Sequence, residues 1–255
     1  MIVQLSDLHL NPDAQTPGPA ERLRDAVQRV AALRPRPDAV LVSGDLADVP
    51  SAAAYQQAHE LLAPLDLPLH AIPGNHDDRD LLRARFGPHP APAGEPVNFA
   101  VQCGALRLIC CDSTSAGSDG GALGEGQLAW LKQTLIEGPE APTLLALHHP
   151  PVLTGVRVMD AIALAAADRV ALELLLGSHP QVQAITCGHV HTTMTTTFAG
   201  RQLLICPSTN SALRLDLRAD DEIPFAVSGQ PLGFAVHLLV DGRVVSHVQP
   251  FHSSP

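Results

Sequence analysis

Read as apolar and polar positions, the chain is a series of short apolar runs, each stopped by glycine, a carboxylate, an amide or histidine. Ile2 to Leu5, Ala39 to Val42, Leu67 to Ile72, Thr143 to Leu147 and Val182 to Thr186 are near-continuous apolar segments. That is the pattern of strands buried on both faces of a largely parallel sheet. The intervening stretches have helical spacing. Leu23, Val27 and Val30 predict a helix over about Ala20 to Leu33, ended by Pro35 and Pro37. Tyr55, Ala58 and Leu62 predict a second, with Ser51 as its N-cap. A short third helix is expected around Arg79 to Phe86, and a fourth over Glu125 to Glu137 on Leu128, Leu131 and Leu135. A fifth, rich in Ala and Leu, is expected near Asp160 to Leu176. Strand and helix alternating in this way imply right-handed crossovers.

The pattern changes toward the C-terminus. Val97 to Gln102 and Leu106 to Cys111 flank a three-residue turn and predict a hairpin. Thr193 to Phe198, Arg201 to Cys206, Leu232 to Val240 and Arg243 to Val248 read as antiparallel strands that form or extend a second sheet. Asp241-Gly242 is the turn between the last two. Pro88 to Pro96 reads as a proline-rich loop, and Ser113 to Gly124 as a long, mobile one. Pro207 to Gly229 reads as a lid or an interface. With no repeat and no linker, residues 1–255 are expected to form a single α/β domain with two packed sheets.

Composition narrows the choice of partners. The 255 residues carry a formal net charge of −10 and only 3% aromatics, so the core must be aliphatic. The mean hydropathy is +0.12 and the pI about 5.6. An acidic chain without a basic patch is a poor match for nucleic acid, which disfavours a nuclease. Residues 1–5 read as a strand, not a signal peptide, and no apolar run is long enough to span a bilayer. Five cysteines, none in a Cys-x-x-Cys pattern, read as buried thiols. The expectation is a cytoplasmic protein without a membrane partner. A homodimer is compatible with the sequence.

The chemistry lies where the apolar runs stop. The five runs lead into Asp7-Leu8-His9, Gly44-Asp45 with Asp48 beyond it, Gly74-Asn75-His76-Asp77, His148-His149-Pro150 and Gly188-His189-Val190-His191. Residues two apart in an extended segment share a side, so Asp7 with His9, and His189 with His191, can face one site. Carboxylate, amide and imidazole donors without sulfur suit Mn, Fe, Zn or Co better than Ca or Mg. Seven candidate ligands exceed one four-coordinate ion but fit two ions sharing Asp45. Two metals ~3.5–4 Å apart can hold a bridging hydroxide and clamp the oxygens of an in-line displacement, which suits phosphate-ester hydrolysis.

Asp-x-His, Gly-Asp-x-x-Asp, Gly-Asn-His-Asp, His and Gly-His-x-His occur in this order over residues 7–191. With these motifs the chain resembles the calcineurin-like metallophosphoesterase superfamily. The resemblance implies a four-layer α/β/β/α sandwich of two mixed sheets, with a dinuclear centre at the strand ends. It implies that Asp7, His9 and His191 bind one metal, Asn75, His148 and His189 the other, and that Asp45 bridges them. Gln4-Leu5-Ser6-Asp7-Leu8-His9, Pro73 to Arg79, Ala146 to Pro151 and Pro207-Ser208-Thr209 are most similar to the bacterial class III cyclic-nucleotide phosphodiesterases and related glycerophosphodiesterases. Val49-Pro50 stand where phosphoprotein phosphatases carry Arg-Gly, which disfavours a protein phosphatase.

On this resemblance the expected activity is hydrolysis of small phosphodiesters, with 3′,5′-cyclic nucleotides first. Glycerophosphodiesters or other small phosphate esters are the alternative. His76 is expected to protonate the leaving oxygen, with Asp48 orienting and charging it. Asn75, His76 and His149 are expected at the substrate, although His149 has a second reading, behind the metal ligands. A rival of another class is a non-catalytic protein-binding scaffold. Scaffolds of this superfamily tend to lose ligands or the acid histidine, and here all are present.

Overall fold

A computed structural model describes residues 1–13, 18–87, 92–138, 140–217 and 227–252. The expected loops around Pro88 and within Pro207 to Gly229 therefore fall partly outside the described residues, as does His89.

The first half alternates as its apolar pattern predicts. β1 (Ile2–Leu5) is followed by α1 (Gly18–Ala31), β2 (Ala39–Ser43), α2 (Ala52–Leu62), β3 (Leu69–Ile72) and α3 (Arg79–Phe86). β4 (Phe99–Cys103) and β5 (Leu106–Cys110) form the expected hairpin. α4 (Gly124–Glu137), β6 (Thr143–Ala146), a single turn α5 (Arg157–Asp160), α6 (Ala166–Gly177) and β7 (Val182–Cys187) follow. The remainder comprises β8 (Met194–Phe198), β9 (Arg201–Ile205), β10 (Ala212–Leu213), β11 (Val227–Ser228), β12 (Leu232–Val240) and β13 (Arg243–Phe251). Ser51 caps α2 by accepting from the Ala54 N–H.

These strands make two mixed sheets, ordered β13-β12-β1-β2-β3 and β4-β5-β6-β7-β9-β8, and a small β10-β11 pair. β1, β2 and β3 are parallel, as are β5, β6, β7 and β9. The C-terminal strands do not make one new sheet. β12 and β13 extend the first sheet antiparallel beside β1, while β9 joins the second parallel to β7 and carries β8 at its edge.

Alternation along the second sheet explains the layering. Leu106, Leu108, Cys110, Leu144 and Ala146 pack into the cluster that includes the first sheet and α1 to α3. Ile109, Cys111, Leu145 and Leu147, the alternate residues, pack with Leu131 and Leu135 of α4 and Leu172 and Leu176 of α6. Both faces of this sheet are thus buried, one against the other sheet and one against helices. The order of layers is helices, sheet, sheet, helices.

One expected helix starts late. Asp160 does not begin α6. Its carboxylate accepts from the Thr154 N–H and hydroxyl and from the Gly155 N–H. It closes the 154–160 loop, and α6 starts only at Ala166. Among the described residues no helix is long and apolar enough to cross a membrane.

Candidate metal centre

β1, β2, β3, β6 and β7 all deliver their C-terminal ends to one edge of the two sheets, and each following loop carries polar side chains into the same space. The chain reaches this arrangement through backbone conformations that L-residues seldom adopt. Asp7, His9, Asp45, His189 and His191 have φ of 53°, 44°, 52°, 73° and 55°. Left-handed residues cost roughly 1–2 kcal/mol each. Their cluster here is held by bonds between the loops. The Asp7 N–H donates to Gly44 O at 3.1 Å and the His9 N–H to Asp45 O at 2.9 Å. The His189 N–H donates to the Asp7 carboxylate at 3.1 Å, and the His76 N–H to Asp45 Oδ1 at 3.0 Å.

The side chains converge. Asp7, His9, Asp45 and His191 bring one donor atom each within 4.8 Å of one another. His191 Nε2 lies 3.5 Å from Asp7 Oδ1, and His9 Nε2 lies 3.6 Å from Asp45 Oδ2. The same Asp45 oxygen is 3.4 Å from His148 Nε2, which is 3.2 Å from Asn75 Oδ1. The His189 ring centroid is 5.0 Å from that of His148. Asp45 therefore lies between the two groups. Asp7, Asp45 and His148 are almost wholly buried.

The proton inventory of these imidazoles fits a cation-binding role. His148 Nδ1–H donates to Ser43 O at 2.8 Å, His189 Nε2–H to Ile162 O at 3.1 Å and His191 Nδ1–H to Ser211 O at 3.1 Å. His9 Nδ1 faces Asp48 Oδ1 at 3.6 Å. In His148, His189 and His191 the outward nitrogen donates a proton to a backbone carbonyl, which leaves the other nitrogen free to turn a lone pair toward a cation. His9 Nε2 and His191 Nε2 face each other across 3.0 Å, close to the carboxylates of Asp7 and Asp45. So many nitrogen and carboxylate oxygen atoms gathered in a buried site are suited to positive charge between them. A donor set of imidazole, carboxylate and amide without sulfur fits two transition-metal ions.

The electrostatics agree. Burial opposes charge on Asp45, but His148, His9 and His76 outweigh it and hold the carboxyl well below its usual range. Burial likewise opposes charge on His148, yet Asp45 lifts it to about 9, so without an ion beside Asp45 its Nε2 also holds a proton, which a bound metal would replace. His189 is pushed well down by burial and by its neighbouring imidazoles.

His149 takes the second of its two readings, and Asp48 differs from its own. His149 is fully buried behind His148 and His189 and does not reach the cleft. Its Nδ1 accepts from Ser113 Oγ at 2.8 Å and its Nε2–H donates to Asp119 O at 3.0 Å. Burial and the His148 charge lower it to about 3, so it stays neutral. His149 anchors the 113–124 loop instead of meeting substrate. That loop, expected to be mobile, is tied again by Ala122 N–H to Ser113 O and by Ala165 N–H to Gly121 O. Asp48 touches His76 through its backbone carbonyl, which accepts from His76 Nδ1–H at 2.9 Å. Its carboxylate turns toward His9.

Several supporting residues carry no sequence signal of their own. Ser43, Ser211 and Ile162 act through backbone carbonyls. Asp77 was legible as part of Gly-Asn-His-Asp but without a function. Its carboxylate accepts from the N–H groups of Leu46, Ala47 and Gly74 and from the Tyr55 hydroxyl, tying the Asp45 loop to the Asn75 loop. Burial, with the nearby Asp45 charge, pushes it up to about 6.

The centre floors a cleft of about 620 Å³, lined also by His76, Asp48, Asn11, Asp119, Met159, Ile162, Pro19, Asn210 and Ser211. No Lys or Arg lines it among the described residues.

Comparison with known proteins agrees with this site. The model of the calcineurin-like phosphoesterase family matches residues 1–193. A probable glycerophosphodiester phosphodiesterase of Arcobacter nitrofigilis is 32% identical over 232 residues, 89% of this chain and 85% of that one. A probable cyclic nucleotide phosphodiesterase of Synechococcus is 38% identical over 221 residues, 82% of this chain and 80% of the other. A dimetal phosphatase from Danio rerio has the same fold, with a TM-score of 0.70 at 17% identity, covering 99% of this chain and 98% of that one. With the family model spanning most of its length and these relatives matching over four fifths or so of both chains, the chain belongs to the calcineurin-like phosphoesterase family.

Proposed function

We propose that the protein hydrolyses small phosphodiesters at a two-metal centre, with 3′,5′-cyclic nucleotides as the leading substrate class. The observation that carries this reading is the convergence of Asp7, His9, Asp45, Asn75, His148, His189 and His191 with imidazole nitrogens turned inward. Asp7, His9 and His191 would hold one ion, Asn75, His148 and His189 the other, and Asp45 both. Mn, Fe or Zn suits these donors. Such ions, when bound, supply Lewis acidity and an activated water for in-line displacement.

The chain's own residues supply the rest. His76 lines the cleft, and with Nδ1–H committed to Asp48 O its Nε2 is the nitrogen left for substrate. Burial opposes its charge, but Asp45 and Asp48 prevail and raise its pKa. A protonated imidazole here donates its proton to the departing alkoxide. The cleft has Asp48 and Asp119 on its walls and no basic side chain, which suits a singly charged diester better than a doubly charged monoester. Met159, Ile162 and Pro19 offer an apolar wall for the ester group. The names of relatives fall on both sides of the substrate choice, so glycerophosphodiesters stand as the second class. Buried, unpaired cysteines support a reducing, cytoplasmic setting.

The test is a panel. Metal-reconstituted protein is assayed on cyclic AMP, cyclic GMP, glycerophosphoethanolamine and a phosphomonoester. Turnover of diesters well above the monoester supports the reading. Preference for the monoester, or no turnover with two metals bound, refutes it.

A further inference from the structure

Asn210 lines the metal cleft and also a side cavity of about 170 Å³ behind it. Its Oδ1 accepts from Arg22 Nη1 of α1 at 2.8 Å. A guanidinium can only donate, so this contact fixes the amide with its oxygen toward Arg22. The Nδ2 group then points away from Arg22, and neither of its hydrogens has an acceptor among the described residues. The backbone around it is rigidly placed. The Asn210 and Ser211 N–H groups donate to Ser208 Oγ, at 2.9 and 3.0 Å, and Ser208 Oγ–H donates to Asp7 O at 2.8 Å. Ser211 O in turn accepts from His191 Nδ1–H. A donor with fixed direction is thereby held one loop away from the metal ligands.

We propose that the Asn210 amide is a specificity-determining hydrogen-bond donor to the ester arm of the substrate, and that Arg22 positions it. The group it selects is an oxygen acceptor, such as a sugar or glycerol hydroxyl, on the arm that stays attached to phosphorus. The arrangement uses a cation outside the cleft to orient a neutral donor inside it, so recognition adds no charge beside the metals. An arm without an oxygen acceptor leaves the donor unmatched and binds less well. This deepens the phosphodiesterase reading and rests on it.

The experiment uses esters with one shared leaving group. Metal-loaded protein is assayed on glyceryl p-nitrophenyl phosphate, thymidine 5′-p-nitrophenyl phosphate and propyl p-nitrophenyl phosphate. The wild type should favour at least one oxygen-bearing arm over propyl by about tenfold in kcat/KM, the size of one directed hydrogen bond. Asn210→Ala should erase that preference, mainly through KM, with the oxygen-bearing esters losing about tenfold and propyl losing less. Arg22→Met should reduce the preference, and Arg22→Met in the Asn210→Ala background should add nothing, since Arg22 acts through the amide. A wild type without preference, or an Asn210→Ala variant slowed equally on all three esters, overturns the proposal and leaves the hydrolase reading intact. No turnover of any ester by the metal-loaded wild type overturns both.

Discussion

Gly44 sits where β2 meets the metal centre, and replacing it with alanine tests how the site is held together. Its φ is +102°, and a Cβ there would lie 2.2 Å from His148 Nδ1 and 2.9 Å from Gly74 Cα. Two costs follow. The backbone conformation disfavours any L side chain by about 1–2 kcal/mol. The methyl group must also displace the His148 ring, breaking its 2.8 Å bond to Ser43 O and leaving a buried polar group unmatched, at about 1–3 kcal/mol. The sum is about 2–5 kcal/mol, a large part of the ~5–15 kcal/mol of an ordinary domain. Gly200 provides the control. It has φ +74° and nothing within 4 Å of a built Cβ, so Gly200→Ala carries the backbone cost alone. Urea unfolding of the metal-free proteins measures both, and calorimetric titration with Mn²⁺ reads whether His148 still faces Asp45. Gly44→Ala should lose about 1–3 kcal/mol more than Gly200→Ala, and only Gly44→Ala should lose metal affinity. Equal destabilisation of the two variants with metal binding unchanged would refute the close packing of Gly44 against His148.

Other consequences follow from the same geometry. His76→Ala should keep both metals and slow esters of poor alkoxide leaving groups by ~10²–10⁴, with nitrophenyl esters slowed less; equal slowing of both would mean that His76 binds phosphate without donating a proton. Asp48→Asn keeps the carbonyl that His76 uses, so its main effect should be weaker metal binding at the His9 position, read by titration. His237 is fully buried, with Nε2–H on Gln4 Oε1 and Nδ1 accepting from Ser246, and burial lowers it to about 4. It is neutral when folded and gains a proton more readily when unfolded. Its contribution is therefore complete above pH ~6.5 and lost as pH falls toward 4, by about 3 kcal/mol. Urea midpoints for wild type and His237→Gln across pH 4–7 should converge toward the acid end, and parallel curves would exclude this linkage.

The sequence made the strand ends that bring Asp, Asn and His together readable because buried parallel strands are uninterrupted apolar runs, and the residues stopping them are chemically conspicuous. The C-terminal strands were legible as strands but not in their placement. Alternating residues in β8, β9, β12 and β13 do not reveal which sheet each joins, since that depends on which open edge lies near. The β10-β11 pair is too short to show a period. His149 could not be separated from His148 by pattern, because adjacent histidines differ only in which way the chain turns them. The distinction lies in Ser113 and Asp119, thirty or more positions away in sequence but bonded to its ring. Arg22 and Asn210 gave no signal for the same reason. Their meaning comes from a contact between α1 and a loop that local sequence does not encode.

Anomalous diffraction from crystals of the protein soaked in Mn²⁺ would locate the ions themselves. Two peaks ~3.5–4 Å apart are expected, both against Asp45, one beside Asp7, His9 and His191 and the other beside Asn75, His148 and His189. A single peak, or ions bound away from Asp45, would contradict the two-metal centre.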